Sequence, residues 1–532
     1  MLKKLLSNGY FPKELPPCFK TTKFADVVFP DTGLVDIFNK ESKPAKSCVH
    51  NLARAGSLPR KLVLVNPIPF SQLANCIASN WGFILSKISR SNLSLSMPSQ
   101  KDRVNRAIVP KCNQPDLIEH RARVRVARGA LLKSDISQFY PSLYTHSIPW
   151  AIHGKKEAKA TRDDSLLGNK LDRLVRNGQD GQTLGIPVGP DTSLVLAEIV
   201  TSAVDEELQN EYQGKIEGFR YYDDYELVFD TSIEAEWALD SLQKHLGQYE
   251  LVLNPRKTEI LNLPCQLEAT WVHKLRTFII REGSAQRSDL IHFFETVFDF
   301  AKSFPDEHVV KYALTRLYKE NLRILDTNWP LVEKLLFHAM MVEPGGIPAV
   351  ARVLLEQKEL GRIIDGTLVG KTFSALISKH GAKGNTSEVS WALWASLALN
   401  VRLDRGITKI LGSIDDSVVA ILSLDVKDKG LLEDSNLDLE LWEQYMCVDE
   451  LYGSQWLLSY EGQTRNWFKC AENFDTDEAF SFLKNNNVSF YETVGANALA
   501  SLTEKLETVS SFDYGIGGNK NEEFGEDDNE EF

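Results

Sequence analysis

Two adjacent carboxylates, Asp223 and Asp224, stand between Phe219-Arg220-Tyr221-Tyr222 and Tyr225-Glu226-Leu227-Val228-Phe229. The flanks have the aromatic and β-branched bias of strands, so the stretch reads as a hairpin with both acids at its tip. Like charges side by side repel, and burying them uncompensated is expensive. A divalent cation removes that penalty, and hard carboxylate oxygens suit Mg2+. A solvated Asp-Asp turn accounts for the same residues, so the pair needs partners elsewhere. Three stretches supply them. Asp135 ends the apolar run Ala130-Leu131-Leu132-Lys133-Ser134 and is followed by Phe139 and Tyr140. Gly185-Ile186-Pro187-Val188-Gly189, continuing through Pro190 to Ser193, is a Gly-Pro loop that feeds a helix. Such loops often cradle phosphate, but the Lys-Ser/Thr ending of a P-loop is missing. Lys257 lies in Leu253-Asn254-Pro255-Arg256-Lys257-Thr258, a turn between two short strands. An acid at a strand end facing an acidic hairpin tip is what two-metal phosphoryl transfer requires.

The elements that carry these residues follow from pattern. The segment Gly9 to Pro17, rich in proline, reads as extended chain packed on the surface. Ser71 to Ile88 reads as one helix with Leu73, Ile77 and Trp81 near one face. Arg121, Arg123 and Arg125 alternate with Ala122, Val124 and Val126, which on a strand puts the guanidinium groups on one face; they suit phosphate, and a solvated edge strand fits equally well. Residues 146–175 read as helical, with His146 and His153 seven apart. Such histidines are more often packed or surface residues than a metal pair. Helices are expected from Asp191 through Glu207 and over 232–247. Beyond residue 266 short amphipathic helices succeed one another, near 289–303, 306–323, 328–342, 347–359, 387–400 and 415–424. Asn385 with Glu388 has capping-box spacing.

The bulk numbers frame this. The 532 residues allow about two to four domains. The net charge of −13 is unusual for an enzyme acting on nucleic acid. The charge is unevenly distributed, however: residues 1–128 hold 21 Lys+Arg against 8 Asp+Glu, and residues 266–532 hold 26 against 43. A basic N-terminal part joined to an acidic C-terminal half suggests that only the first faces phosphate. The seven scattered cysteines include no Cys-x-x-Cys pair, as expected of a reducing cytoplasm. No apolar run approaches the roughly 18 residues of a membrane span.

In order and spacing, these pieces resemble the palm of reverse transcriptases. Tyr221-Tyr222-Asp223-Asp224 is similar to the Tyr-x-Asp-Asp motif, Asp135 with Phe139 and Tyr140 to the first metal motif, Gly185 through Ser193 to the template-and-nucleotide loop, and Leu253 through Thr258 to the motif that follows. Gly9-Tyr10-Phe11-Pro12-Lys13-Glu14-Leu15-Pro16-Pro17 and Phe139-Tyr140-Pro141-Ser142 through Trp150 resemble the bacterial abortive-infection and defence-associated members of that superfamily, the AbiK-like enzymes.

The resemblance implies an α+β chain: a fingers–palm domain over 1–265, an all-α HEAT-like helical repeat domain over 266–513 in place of a thumb, and a disordered acidic tail over 514–532. It implies a bacterial, cytoplasmic RNA-directed DNA polymerase acting in antiphage defence, with two Mg2+ ions (Mn2+ as substitute), dNTPs as substrates, DNA as product, and a homo-oligomeric state. Asp135, Asp223 and the carbonyl of Ile136 are the implied metal ligands, with Asp224 in support. Tyr140 is the ring beneath the sugar that excludes a 2′-hydroxyl. Gly185, Pro187, Gly189 and Ser193 are the nucleotide loop, Lys257 the proton donor to pyrophosphate, and Arg121, Arg123 and Arg125 contacts for triphosphate or template. Val188 stands where many reverse transcriptases have Gln, which leaves templated copying unspecified. Some members of the group extend DNA without a template from a protein hydroxyl, for which Tyr10 and Tyr514 are candidates here; others use a noncoding RNA. An RNA-binding scaffold with an inactive palm and the reverse transcriptase of a retroelement are the rival readings.

Overall fold

The computed structural model describes residues 1–513 except 31–32, 41–43, 55–56, 102–104 and 320–321. Tyr514 and the acidic tail therefore lie outside the described residues. Strands β1 (Cys48–Arg54) and β2 (Ser57–Leu64) form an N-terminal antiparallel hairpin. β3 (Pro98–Ser99) and β4 (Val109–Pro110) make a short pair. The central sheet contains β5 (Ala130–Asp135), β6 (Glu217–Tyr221), β7 (Asp224–Phe229) and β8 (Glu259–Asn262), in the order β6-β7-β5-β8, every pair antiparallel.

Alternation gives the sheet one apolar face and one mixed face, on which acids stand beside the buried Leu131, Val228, Phe219 and Tyr221. Ala130 and Leu132 share a side with Tyr225, Leu227 and Phe229, all buried. Helix Ser232–Gln248 packs against this part of the sheet, burying Ala235, Ala238, Leu242 and Leu246 at helical spacing. Its start is fixed by a capping box between Thr231 and Glu234. Helix Asp191–Glu211 lies beside it and is buried almost throughout. The opposite face carries Lys133, Asp135, Asp224 and Glu226.

Several elements differ from the sequence reading. Gly9 to Pro17 is packed inside: Tyr10 is fully buried, stacks on Phe70 at 4.0 Å, and donates its hydroxyl to the Val65 carbonyl at 2.5 Å. That phenol is not a mobile nucleophile. Pro67 and Pro69 lie in the first turn of a helix that begins before Ser71. Asn66 caps Pro67–Ser79, and a second helix, Trp81–Ile88, starts after Asn80. Proline in a first turn loses no helical hydrogen bond. Residues 146–175 form three helices, Ser147–His153, Lys155–Ala160 and a third beginning at Leu167 and ending at Asn177. His146 pairs with Asp172 at 2.7 Å while His153 accepts from the Gly168 amide, so the two rings are used separately.

The C-terminal half is helical where expected, including Gln286–Ser303, Val309–Lys319, Trp329–Val342, Ile347–Glu359, Thr386–Leu399 and Ser417–Asp428. Helix Gly366–Gly381 was not foreseen, because its glycines argue against a helix. Gly370 is there because the Arg402 backbone passes where a Cβ would sit. This half packs on the N-terminal elements. Trp456 donates to the Leu64 carbonyl at 3.0 Å, Asn66 to that of Leu451 at 2.8 Å, and His50 meets Asp416 at 2.8 Å, all buried. Among the described residues no helix is long and apolar enough to cross a membrane.

The capping box proposed for Asn385 and Glu388 does not form. Asn385 makes no cap bond, and the buried Glu388 carboxylate accepts from the Ala53 amide of β1 instead. Burial raises its pKa from 4.5 to about 7. The folded protein thus favours the protonated acid. This contribution is intact below the unfolded value near 4.5 and is lost as pH rises to about 7. Glu388→Gln should therefore stabilise the protein at pH 8 by an amount on the order of 2 kcal/mol, and change little at pH 5. Denaturant unfolding of both proteins at the two pH values checks this.

Candidate active site

The three acids meet at the ends of β5 and β7. Register places Asp135 opposite Asp224, and Tyr221 opposite Asp224 on the other side. Tyr222 and Asp223 form the two-residue turn, so Asp223 is at the tip and Asp224 opens β7. Tyr222 has φ +56°, a left-handed conformation that a bulky residue adopts only when its surroundings enforce it. The Ile136 amide donates to the Asp223 carbonyl at 3.1 Å, and the Asn254 amide to that of Asp135 at 2.7 Å. Ile136 thus lies between the acidic turn and the Leu253 segment, with which it forms an isolated bridge.

Electrostatics in this cleft are those of crowded like charges. Burial, and then the charge of Asp135, raises the pKa of Asp223. Asp224 opens to solvent yet is hemmed in by protein; this enclosure and the charge of Asp223 push it up to about 7. Lys257 counters the repulsion. Its ammonium donates to Asp135 Oδ2 at 2.6 Å, and Asn254 Nδ2 holds Oδ1 at 3.1 Å. Burial works against the lysine charge, but the bond to Asp135 outweighs it, and the Lys257 pKa is raised. Among the described residues no three His, Cys, Asp or Glu side chains are gathered into a ready-made metal cage. The donor set nevertheless fits a hard divalent cation: two carboxylates with raised pKa values and a third beside them, held by an ammonium group that is itself exposed.

The Gly-Pro loop frames the cleft. Gly185 (φ +86°) lies against the Pro141 backbone, and Ile186 donates to the Tyr140 carbonyl at 2.9 Å. Gly189 (φ +130°) lies against Pro12, where a side chain would collide. Pro187 is buried, and its carbonyl accepts from the buried Ser193 hydroxyl at 2.5 Å, so this serine closes its own loop. The Val188 carbonyl accepts from Val63 of β2 at 2.9 Å. A buried Arg106–Asp191 pair, with the amides of Ala107 and Ile108 donating to Asp191 at 3.0 Å, anchors the helix start. Tyr140 is close enough to Asp223 for that charge to add to burial in raising its phenol pKa.

The three arginines do not lie on a strand. Residues Gln114–Val124 are a helix, begun by a capping box in which the Asn113 amide donates to Asp116 at 2.8 Å. The Arg-x-Arg-x-Arg alternation is therefore wrapped around a helix, and Arg121 and Arg125 fall about one turn apart. Both reach Glu226 of β7, at 2.8 Å each. Arg123 turns outward to His120 at 2.7 Å. Arg121 and Arg125 thus fasten this helix to the mixed face of the sheet. Beneath it, Leu117 packs with Phe219 and Tyr221. The arginine whose charge bears on Asp223, after that of Lys257, is Arg60 of β2. It is exposed, and its charge opposes the raised pKa values of both Asp223 and Tyr140. The only sequence signal for it was a basic pair, Arg60-Lys61, inside an apolar strand.

Residues 95–293 match the family model described as reverse transcriptase (RNA-dependent DNA polymerase), a span holding the three acids, Tyr140, the Gly-Pro loop and Lys257. This stretch matches a reverse transcriptase domain, a family of RNA-directed DNA polymerases. Among solved structures it is similar to the apo telomerase of Candida tropicalis, with 11% identity, a TM-score of 0.33, and coverage of 59% of this chain and 64% of that one. It is also similar to the telomerase of Candida albicans in complex with a TWJ fragment of telomeric RNA, with 15% identity, a TM-score of 0.30, and coverage of 73% and 65%. The chain thus spans less than two thirds of those telomerases, and TM-scores of this size carry no weight for the architecture. No curated protein matches the chain.

The Glu226 clamp makes a prediction. Glu226→Ala removes the shared partner of Arg121 and Arg125 and should release helix 114–124. Amide hydrogen exchange over that helix should quicken roughly tenfold or more, while β5 stays protected. Unchanged exchange would mean that the apolar contacts of Leu117 and the arginine bonds to the Gln266 and Leu267 carbonyls suffice to hold the helix.

Proposed function

We propose that the protein is a Mg2+-dependent DNA polymerase that adds dNTPs to a growing strand, with Mn2+ able to replace Mg2+. The observation that carries this reading is the register of Asp135 opposite Asp224 beside the Tyr222-Asp223 turn, within the reverse transcriptase domain. Asp135 and Asp223 would hold the ions, with the Ile136 carbonyl as a further ligand and Asp224 beside them. When bound, the ions activate the attacking hydroxyl and neutralise the triphosphate and departing pyrophosphate. The chain's own groups do the rest. Tyr140 supports the sugar and excludes a 2′-hydroxyl. Arg60 approaches the triphosphate from the N-terminal hairpin, the role first given to Arg121, Arg123 and Arg125. Lys257, already charged and bonded to Asp135, is placed to pass a proton to the leaving group.

The reading extends to bacterial antiphage defence of the abortive-infection type, on the strength of the motifs at Gly9–Pro17 and 139–150. With it come a HEAT-like character for the C-terminal helices, a homo-oligomer, and a noncoding RNA or a protein hydroxyl as the source of template or primer. An inactive palm acting as an RNA-binding scaffold is the rival.

Asp223→Asn keeps the size and removes a charge. It should abolish Mg2+-dependent dNTP incorporation, by about 10³-fold or more, with the melting temperature kept or raised because a repelled carboxylate is gone. Wild-type incorporation by the soluble variant would remove the basis of the polymerase reading. Tyr140→Ala should raise the rNTP/dNTP ratio of kcat/KM, by about one to two orders of magnitude. An unchanged ratio would reduce Tyr140 to a ring that only packs on Phe139.

A further inference from the structure

One buried charged cluster is not used by the chemistry above. Arg220, next to the Tyr221-Tyr222-Asp223-Asp224 turn, is completely buried. It is flanked by two carboxylates of helix Asp191–Glu211: Glu198 at 2.7 Å and Asp205 at 2.8 Å, 1% and 0% exposed. These acids lie seven residues apart, on one face of the helix. The cluster is fully supplied with donors. Ser94 and Ser96 each donate to Glu198 at 2.7 Å, Ser91 to Asp205 at 2.6 Å, and the Tyr225 hydroxyl to Asp205 at 2.8 Å.

Two members reach beyond the cluster to the turn. Arg220 Nη1 donates to the Tyr222 carbonyl at 2.8 Å, and the Tyr222 amide donates to Ser96 Oγ at 2.7 Å. Both polar groups of the one left-handed residue in the turn are thus held by side chains of the same network. Tyr222 is not glycine, and a lone aromatic residue at φ +56° relaxes unless it is held. Its neighbour in the turn is Asp223. A rotation of the Tyr222 peptide would swing the Asp223 carboxylate away from Asp135.

We propose that Arg220, Glu198 and Ser96 are positioning residues for the reaction: they clamp the Tyr222 peptide and so fix the direction of the Asp223 carboxylate toward the cation site. This rests on the polymerase reading above, and concerns how well the turn presents its ligand, not which residue binds the ion. The cluster also joins the segment 91–96, helix Asp191–Glu211, β6 and β7, so a change at Arg220 itself would confuse presentation with folding. Breaking a buried ion pair by removing one partner is strongly destabilising.

The serines separate the two roles. Ser94 and Ser96 make equal bonds to opposite oxygens of Glu198, but only Ser96 also accepts from Tyr222. Ser94→Ala and Ser96→Ala should therefore both lower the melting temperature, Ser96→Ala somewhat more because it also loses the Tyr222 bond. Only Ser96→Ala should lower kcat for dNTP incorporation, about tenfold, the effect of losing about one hydrogen bond in presentation, with KM for dNTP nearly unchanged. Binding of Mn2+ to the resting protein, followed by the electron paramagnetic resonance signal of free Mn2+, should weaken several-fold in Ser96→Ala and not in Ser94→Ala. Should Ser96→Ala fail to fold, Ser96→Cys keeps a weaker acceptor and carries the same comparison. Equal Mn2+ affinity and equal kcat for the two variants, in an active wild-type background, overturn the positioning role alone. A wild-type protein that neither binds Mn2+ nor incorporates dNTP overturns the polymerase reading first.

Discussion

Three carboxylates at neighbouring strand ends repel one another, and much of the N-terminal half is arranged to hold them there. Burial first, and then the neighbouring carboxylate, raises the pKa values of Asp223 and Asp224. Without opposing contacts the turn would open. The Asn254 amide ties the Asp135 carbonyl, the Ile136 amide ties that of Asp223, and Lys257 places a positive charge on Asp135. Beneath the turn, Arg220 is a second positive charge, buried between two acids so that it stays where it is. The first cation is exposed and on a turn; the second is enclosed and joined to three elements. The exposed lysine can yield Asp135 to an ion, whereas the buried arginine cannot leave the turn.

The acids were legible because their signal is local. A strand, a charge where a strand ends, and paired acids between aromatic runs are each read within ten residues, and antiparallel pairing then brings the ends together. Lys257 was legible for the same reason, as a lysine in a turn between short strands. The three arginines misled because alternation is itself a strand signal, and over five residues it outweighed the Asn113–Asp116 helix start just upstream. Arg60 was missed because its relevance depends on a hairpin folding back along residue 188, a contact more than 120 positions away in the chain. Glu388 was assigned to its own helix because local capping is visible in sequence, and the Ala53 amide that claims it is not.

The basic excess of the first 128 residues also reads differently in three dimensions. A lysine- and arginine-rich segment suggests a surface for phosphate, yet part of this charge is taken up by ion pairs within the chain. Arg106 pairs with Asp191, Arg121 and Arg125 with Glu226, and Arg128 with Glu217 and Asp230. Each of these partners lies within 185–230, the stretch holding the Gly-Pro loop and the acidic hairpin. These arginines therefore offset acids of the same segment that carries the loop and the hairpin. Net charge by segment measured a real asymmetry but not its purpose.

Fastening bears on how the site works. Here the β1–β2 hairpin is bound on several sides: the Val63 amide to Val188 of the Gly-Pro loop, the Leu64 carbonyl to Trp456, His50 to Asp416, and the Ala53 amide to Glu388. Three of these partners belong to the C-terminal helices, and all three are buried, where such contacts are hardest to break. β1 is thus fastened to the helical half from its base almost to the hairpin turn. Arg60 pairs with Leu52, between two of these anchors, so a movement that carries it toward or away from Asp223 carries the helical half along. The C-terminal helices are in this way joined to the hairpin whose Arg60 charge reaches Asp223.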